Sequence, residues 1–396
     1  MRKSIAIVGT FDSKGEEHLF LKEVIESKGH STITVDIGTT DTVAFSPDFS
    51  VKELLDKNKM ERSHVIETII EKATELILDL FHHHKIGGII SIGGGTGTFM
   101  GTSIMKALPL GVPKFMVSTV ASRDMSQTIG TKDITIMHSV VDMLGLNSIS
   151  RLILAEAGGA VCGMMSDSAG EDNASNRVAL TLFGFVTQAA ENIKSLLIEN
   201  DFEVVPFHAN GTGGMAMEEM IEESLFGGVL DLATHELADA MFGGYCGAIG
   251  PQRLRTPEGV TTPRLVIPGG LDSAVLEFDK KSIPEKYKDR KIFFYDFRSA
   301  IRLTTDESRI LARTVADKLN KSHNHIKMLI PLRGWSEADR EGDVLFDPES
   351  SNAFCETLEQ SLTSDVTVVK VDYHINDREF ARKAVDMMIS MIRGNR

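Results

Sequence analysis

Cysteine is scarce in this chain of 396 residues. There are three, Cys162, Cys246 and Cys355, and no two stand at CxxC spacing. That argues against a disulfide framework or a structural zinc module and predicts a reduced, cytoplasmic setting. Positive charge is also short: 42 Lys and Arg stand against 56 Asp and Glu, a net charge of -14. Nonspecific nucleic-acid binding needs a cationic surplus that this chain lacks, although a local basic pocket remains open to it. No uninterrupted apolar stretch is long enough for a bilayer. The opening MRKSIAIVGTFDSKGEE has an apolar run too short for a signal core, and it ends in glycine and charge. The expected partner is therefore a small phosphorylated ligand, with no nucleic acid and no membrane; a homo-oligomer is a further expectation.

Apolar residues make up 42% and charged residues 25%, enough to build real cores, and the length suits two α/β units. Short β-branched runs alternate with longer helical patterns, the mark of a largely parallel sheet covered by helices. Strands are expected at Ser4–Val8, Ser31–Val35, Gly87–Ile92, Lys114–Ser118 and Asp133–Met137, with helices at Glu16–Lys28, His64–Phe81 and Thr98–Ala107. The pattern restarts with a strand at Arg177–Phe183, a helix at Gln188–Glu199 and a strand at Glu203–Phe207. Further strands follow near Val229–Leu232, Leu265–Ile267, Lys291–Tyr295, Met328–Ile330 and Val366–Val371. A closing helix, Glu379–Ile392, carries Phe380, Ala384, Met387, Met388 and Met391 on one side, which reads as core. The expected architecture is two Rossmann-like units with mainly parallel sheets and a cleft between them. They cover residues 1–170 and 177–396, and the boundary lies in the polar stretch Ser166–Asn176.

Glycine-rich turns after strands carry the candidate chemistry. In SIGGGTGTFM, Gly93, Gly94, Gly95 and Gly97 free the backbone so that its N–H groups can face one concavity. Thr96 and Thr98 add hydroxyls, and the following helix adds its positive end. A tight turn with close strand–helix packing uses glycines too, but four glycines and two threonines exceed what a turn requires. The turn is similar to the GGDGT loop of NAD kinases and phosphofructokinases without its aspartate, and it is not a Walker A loop, since no GK[ST] follows. A second such turn is Asn210, Gly211, Thr212, Gly213 and Gly214, after the strand that ends at His208. It mirrors the first in position and chemistry, which predicts two faces of one cleft. The first turn, Gly9–Gly15, offers Gly9, Thr10, Asp12 and Lys14. There Lys14 is a candidate for a phosphate and Asp12 for a metal or a hydroxyl, with a capping turn of solvated charges as the alternative. Asp36, ending the second strand, stands where a Rossmann fold places its ribose-binding acid.

Ser118 opens STVASRD, which also holds Arg123 and Asp124. Asp231, Thr234, His235 and Glu236 follow another strand, and PGGLD (268–272) and PLRGWSEAD (331–339) follow two more. Strand carboxyl ends converge in space, so these connectors gain weight together. His82–His84 suit a helix C-terminus better than a metal, and His208 and His374 each stand alone.

The stretches IAIVGTFDSKGEEHLFLKE, SIGGGTGTFM, LPLGVPKFMVSTVAS, DITIMHSVVDMLGLNSISRLIL, NGTGGMAMEEM, LDLATHELADAMFGG, RGWSEADREGDVLFDPESSNAFCETLEQ and VDYHINDREFARKAVDMM together resemble a bacterial and plant family. That family is named for the ATP-binding domain of the tomato mosaic virus resistance protein. The resemblance covers nearly the whole chain. It implies two Rossmann-like units and ATP binding, but no particular reaction, so no catalytic residue is carried over. PGGLDSAVLEF and YDFRSAIRL depart from the family's pattern, which leads one to expect more polar loops there. The expected function is binding of ATP or a phosphorylated metabolite, in an enzyme of phosphoryl-transfer or hydrolytic type. Mg2+ is an expected companion, with Asp12, Asp36, Asp124 or Asp231 as its holder. The alternative is an ATP-sensing interaction module without turnover.

Overall fold

The structure is a computed structural model that describes residues 3–40, 44–54, 62–165, 174–322, 325–363 and 365–394. Most of the boundary stretch Ser166–Asn176, residues 166–173, lies outside the described residues. The chain divides into two compact units, Met1–Glu171 and Asp172–Arg396. Among the described residues no helix is long and apolar enough to cross a membrane.

The first unit has strands β1 (Ser4–Gly9), β2 (Thr32–Asp36), β3 (Phe49–Ser50), β4 (Ile86–Gly93), β5 (Lys114–Ser118) and β6 (Thr135–His138). They form one parallel sheet in the order β3-β2-β1-β4-β5-β6. Its helices are α1 (Phe11–Ser27), α2 (Arg62–His82), α3 (Gly95–Met105), α4 (Ser126–Ile129) and α5 (Ser148–Met164). Central β1 and β4 are buried almost throughout and mostly apolar because both their faces are covered. Ile69, Ala73 and Ile77 of α2 and Ile104 of α3 pack on one face. Leu21 and Ile25 of α1 pack with Leu154 and Ala157 of α5 on the other. Asn147 starts α5 through a capping box with Ser150.

The second unit has β7 (Arg177–Leu182), β8 (Glu203–His208), β9 (Gly228–Ala233), β10 (Arg264–Gly269), β14 (Ile326–Pro331) and β15 (Thr367–Val371) in a parallel sheet, in the order β15-β14-β10-β9-β7-β8. Between β10 and β14 the chain builds a three-stranded antiparallel sheet, β11 (Ser273–Leu276), β12 (Ile292–Phe294) and β13 (Ser299–Arg302), in the order β11-β13-β12. The strand expected at Lys291–Tyr295 is thus real but belongs to this small sheet, because its pairing partner is the neighbouring hairpin strand and not a crossover neighbour. The helices are α6 (Thr187–Glu199), α7 (Thr212–Glu222), α8 (Glu236–Phe242), α9 (Thr305–Asn320), α10 (Pro348–Ser361) and α11 (Arg378–Gly394). Phe380, Ala384, Met388 and Met391 of α11 join Ile193 and Leu197 of α6 in one core, as the stripe predicts. Leu311 and Val315 of α9 meet Phe354 and Leu358 of α10 in another.

Candidate functional sites

In the first sheet the strand order reverses between β1 and β4. Open α/β sheets bind ligands outside the strand ends at such a point. Two turns flank it. After β4, Gly93 is held by packing: a side chain there would strike the backbone of Gly97 and Thr98. Gly95 has open space where its side chain would be, and Gly94 and Gly97 meet only one atom each, at 3.7 and 3.8 Å. Gly95 and Thr96 are exposed. They open α3, whose first-turn amides have no partner within the helix. Thr98 turns the other way. It is buried, with its hydroxyl 2.7 Å from that of Ser118 and donating to the Gly93 carbonyl at 3.3 Å.

The turn after β1 is shorter than expected, since α1 already starts at Phe11, with a kink at Lys14. Asp36 accepts at Oδ1 from the amides of Phe11 and Gly38, which draws the chain directly into the helix. Asp12 accepts from the amides of Thr39 and Thr40, both at 3.0 Å. Lys14 donates to the Met143 carbonyl. The Thr10 hydroxyl bonds Ser13. Gly9 abuts the buried ring of His18, so a side chain there would overlap that ring. His18 sits 2.6 Å from the Lys14 carbonyl through Nδ1, and burial lowers its pKa to about 4. Oδ2 of Asp36 has no hydrogen-bond partner among the described residues and lies 3.7 Å from Lys52 Nζ.

The second sheet reverses between β7 and β9. A pocket of about 160 Å³ opens there, walled by Phe183 and Phe185 after β7, His235 after β9, and Val275, Tyr295 and Arg298 from the antiparallel sheet and its hairpin. Burial has opposite results for the polar groups around it. His235 is buried and stacked on Phe183 with ring centroids 3.7 Å apart, and neither ring nitrogen has a partner among the described residues. Burial, helped by the nearby Arg253, lowers its pKa to about 3, so the ring stays neutral. Asp239 is raised to about 7 by burial, against the pull of amide bonds from Val275 and Cys246. Burial likewise raises Cys246, to about 12.

Beside the pocket, Arg253 is fully buried among three carboxylates. Its Nη1 and Nη2 meet Asp231 at 2.7 and 2.8 Å, its Nε meets Glu236 at 2.5 Å, and Nη1 also meets Glu218 at 3.1 Å. Arg264 closes the network on Glu218 at 2.5 Å. Burial opposes ionisation of Asp231, but the two arginines outweigh it and hold its pKa below the ordinary value. The expectation that Asp231 holds a metal is therefore corrected: a guanidinium fills both of its oxygens.

Models of two domains match the chain: the "Uncharacterised protein family (UPF0261) N-terminal domain" over residues 3–170 and the C-terminal domain of the same family over 175–392. The chain belongs to the UPF0261 family. A UPF0261 protein of Clostridium tetani is 36% identical over 99% of this chain and 100% of its own length. The ToMV resistance protein Tm-1(GCR237) of Solanum lycopersicum is 31% identical over 97% of this chain and 55% of its own length. Among solved structures, the UDP-GlcNAc 2-epimerase from Methanocaldococcus jannaschii aligns over 98% of this chain and 92% of its own at 11% identity, with a TM-score of 0.25.

In this UPF0261 chain the two glycine turns do not occupy corresponding places. Gly93–Thr98 follows a central strand, whereas Asn210–Gly214 follows β8 at the sheet's edge. Asn210 caps the turn by accepting from Thr212 and Gly213, and Gly211 (φ 94°) donates its amide to Glu236. Gly213 presses on the His208 carbonyl and Gly214 on the Glu236–Arg253 pair, so these two glycines serve packing. Asp124 lies exposed, bonded to the Ser126 amide. The connectors after β10 and β14 do converge: Ser336 donates to Asp272 at 2.9 Å, and Arg302 of β13 lies between Asp272 at 3.7 Å and Asp339 at 3.2 Å. Sequence reasoning missed Asp239, Cys246, Arg253, Tyr295 and Arg298. The available signal was the spacing of His235 and Asp239, one helical turn apart, with a cysteine just beyond a Gly-Gly break.

Proposed function

We propose that this chain binds ATP or another phosphorylated metabolite at the β4–α3 turn of its first unit, and that it is a metabolic enzyme of phosphoryl-transfer or hydrolytic type. The observation that carries the reading is the steric freedom at Gly94, Gly95 and Gly97. Little in the protein requires glycine there, yet together they bare a helix N-terminus at the point where the sheet order reverses. Amides so arranged stabilise a phosphate and, more strongly, the charge that spreads over its oxygens during transfer. The exposed Thr96 adds a hydroxyl. The turn thus fits the phosphate end of a nucleotide. Among the described residues of this unit no three His, Cys, Asp or Glu ligand atoms converge, so Mg2+ would arrive with the phosphates.

A second reading, an ATP-sensing module without turnover, is favoured by Lys14 and Asp12. Both are committed to backbone partners and so are not free to assist transfer. Calorimetry of the full chain with ATP, ADP and inorganic phosphate tests the binding, and phosphorus NMR of ATP incubated with the chain and candidate small acids and sugars tests turnover. Saturable binding with turnover supports the enzyme. Binding that leaves ATP intact throughout supports the sensing module. No binding of any of the three defeats both.

A further inference from the structure

We propose that His235, Asp239 and Cys246 form a three-ligand zinc site whose fourth position faces the pocket at the β7–β9 reversal. The site is separate from the nucleotide reading and does not depend on it.

The local chain is built to bring these three groups together. His235 immediately precedes α8 and Asp239 lies four residues on, so both project from one face of the helix. Gly243, in the left-handed region at φ 62°, ends the helix and turns the chain back. Two further glycines let it return close enough. A side chain at Gly244 would stand 2.5 Å from the Val275 carbonyl, and one at Gly247 would stand 2.6 Å from the Ala240 nitrogen. The reversal lays Cys246 on Asp239, whose Oδ2 accepts the Cys246 amide at 2.9 Å while Oδ1 accepts the Val275 amide at 2.7 Å. One ligand atom from each residue then lies within 4.8 Å of the other two. A tetrahedral ion with bonds of about 2.0–2.3 Å needs them roughly 3.5 Å apart, so the ion would draw the three groups closer together.

The second, independent observation is His235 itself. Its ring is 1% exposed and held by stacking on Phe183, and both nitrogens lack partners among the described residues. A buried imidazole without a hydrogen bond on either nitrogen is costly, and a ligand bond removes that cost. The donor set names the ion: imidazole, thiolate and carboxylate together suit zinc, whereas Mg2+ and Ca2+ want oxygen alone. Three protein ligands with one side open is the arrangement of zinc sites that act on substrates and not of closed structural ones. His235 and Cys246 both line the pocket, and so does Arg298. The substrate class that fits is a small anion with a carbonyl or phosphoryl oxygen for the zinc and a negative group for the Nη1 edge of Arg298, whose Nε and Nη2 already pair with Asp296.

The test uses the full chain, stripped with a chelator and dialysed against micromolar zinc. One zinc per chain by elemental mass spectrometry is expected. With Co2+ in its place, a thiolate-to-cobalt charge-transfer band should appear, and Cys246→Ser should abolish the band and weaken zinc binding at least about 100-fold. Cys355→Ser, a core position, should leave both unchanged. X-ray absorption of the zinc-loaded wild type needs no variant, and it should show one sulfur at about 2.3 Å beside nitrogen and oxygen near 2.0 Å. No bound zinc, a shell of nitrogen and oxygen only, or a folded Cys246→Ser chain with full affinity and an intact band would each overturn the site.

Discussion

Arg253 and Asp231 meet as two parallel bonds, Nη1 to Oδ2 at 2.7 Å and Nη2 to Oδ1 at 2.8 Å, where both side chains are fully buried. Breaking such a pair from one side strands the other charge. Arg253→Met leaves Asp231, Glu218 and Glu236 buried together, and the unfolding free energy of the second unit should drop by about 3–5 kcal/mol in urea titration. Asp231→Asn keeps an acceptor for the guanidinium and removes one negative charge from the cluster, so its loss should be smaller. Equal stability of Arg253→Met and wild type would show that Arg264, already 2.5 Å from Glu218 and 4.0 Å from Asp231, balances the cluster alone.

Neighbouring glycines of the β4–α3 turn should respond in opposite ways. Gly93→Ala forces a methyl group into the backbone of Gly97 and Thr98 and should cost about 1–3 kcal/mol of stability. Gly95→Val points into open space, so the thermal midpoint should hold while ATP affinity falls at least about tenfold, on the order of 1.4 kcal/mol, by calorimetry. A folded Gly95→Val chain with unchanged affinity for ATP would remove the phosphate site from this turn.

His18 makes the first unit sensitive to acid. Its pKa falls from 6.5 to about 4 on burial, so the unfolded chain takes up the proton first. The stability tied to the neutral ring is complete above pH 6.5 and is lost as pH drops toward 4. Between pH 7.5 and 5 the loss is about 2 kcal/mol. His18→Gln should flatten that slope in urea titrations at the two pH values, and an identical slope in both proteins would show that the ring is not held neutral.

At the edge of the second sheet, Gly213→Ala and Thr212→Ala divide packing from surface chemistry. The first drives a methyl group into the His208 carbonyl and should destabilise by about 1–3 kcal/mol. The second removes an exposed hydroxyl bonded to Asn210, with an expected change within about 0.5 kcal/mol. Circular dichroism melts of both variants suffice, and equal melts would mean that the turn relaxes freely.

What the sequence made legible follows from how far each signal reaches along the chain. Buried parallel strands such as Ile86–Gly93 announce themselves as runs of isoleucine and glycine with a single serine, and α11 shows its core stripe within one helix. The start of α1 was misplaced by five residues because its driver, the Asp36 carboxylate on the Phe11 amide, acts across 25 positions. The antiparallel sheet was misread for a similar reason: Ile292–Phe294 looks like any other strand until its partner Ser299–Arg302 is known. Arg253 sits in an unremarkable polar stretch, PQRLRTPEG, and becomes a core residue only when three carboxylates from α7, β9 and α8 surround it. The candidate turns were visible as glycine clusters, but composition does not separate a glycine that clears space for a ligand from one that clears it for a carbonyl.

Tyr295 and Arg298 belong to the small antiparallel hairpin inserted between β10 and β14, and they wall a pocket whose opposite side comes from the strands of the parallel sheet. One pocket is therefore walled by two distant stretches of the chain. Only the turn that carries Tyr295 and Arg298 is free of that frame: Ile292, Ala300 and Ile301 on either side of it are anchored in the two cores, so a change of side chain at the turn reshapes the pocket wall while the strands that hold it stay bound to the fold.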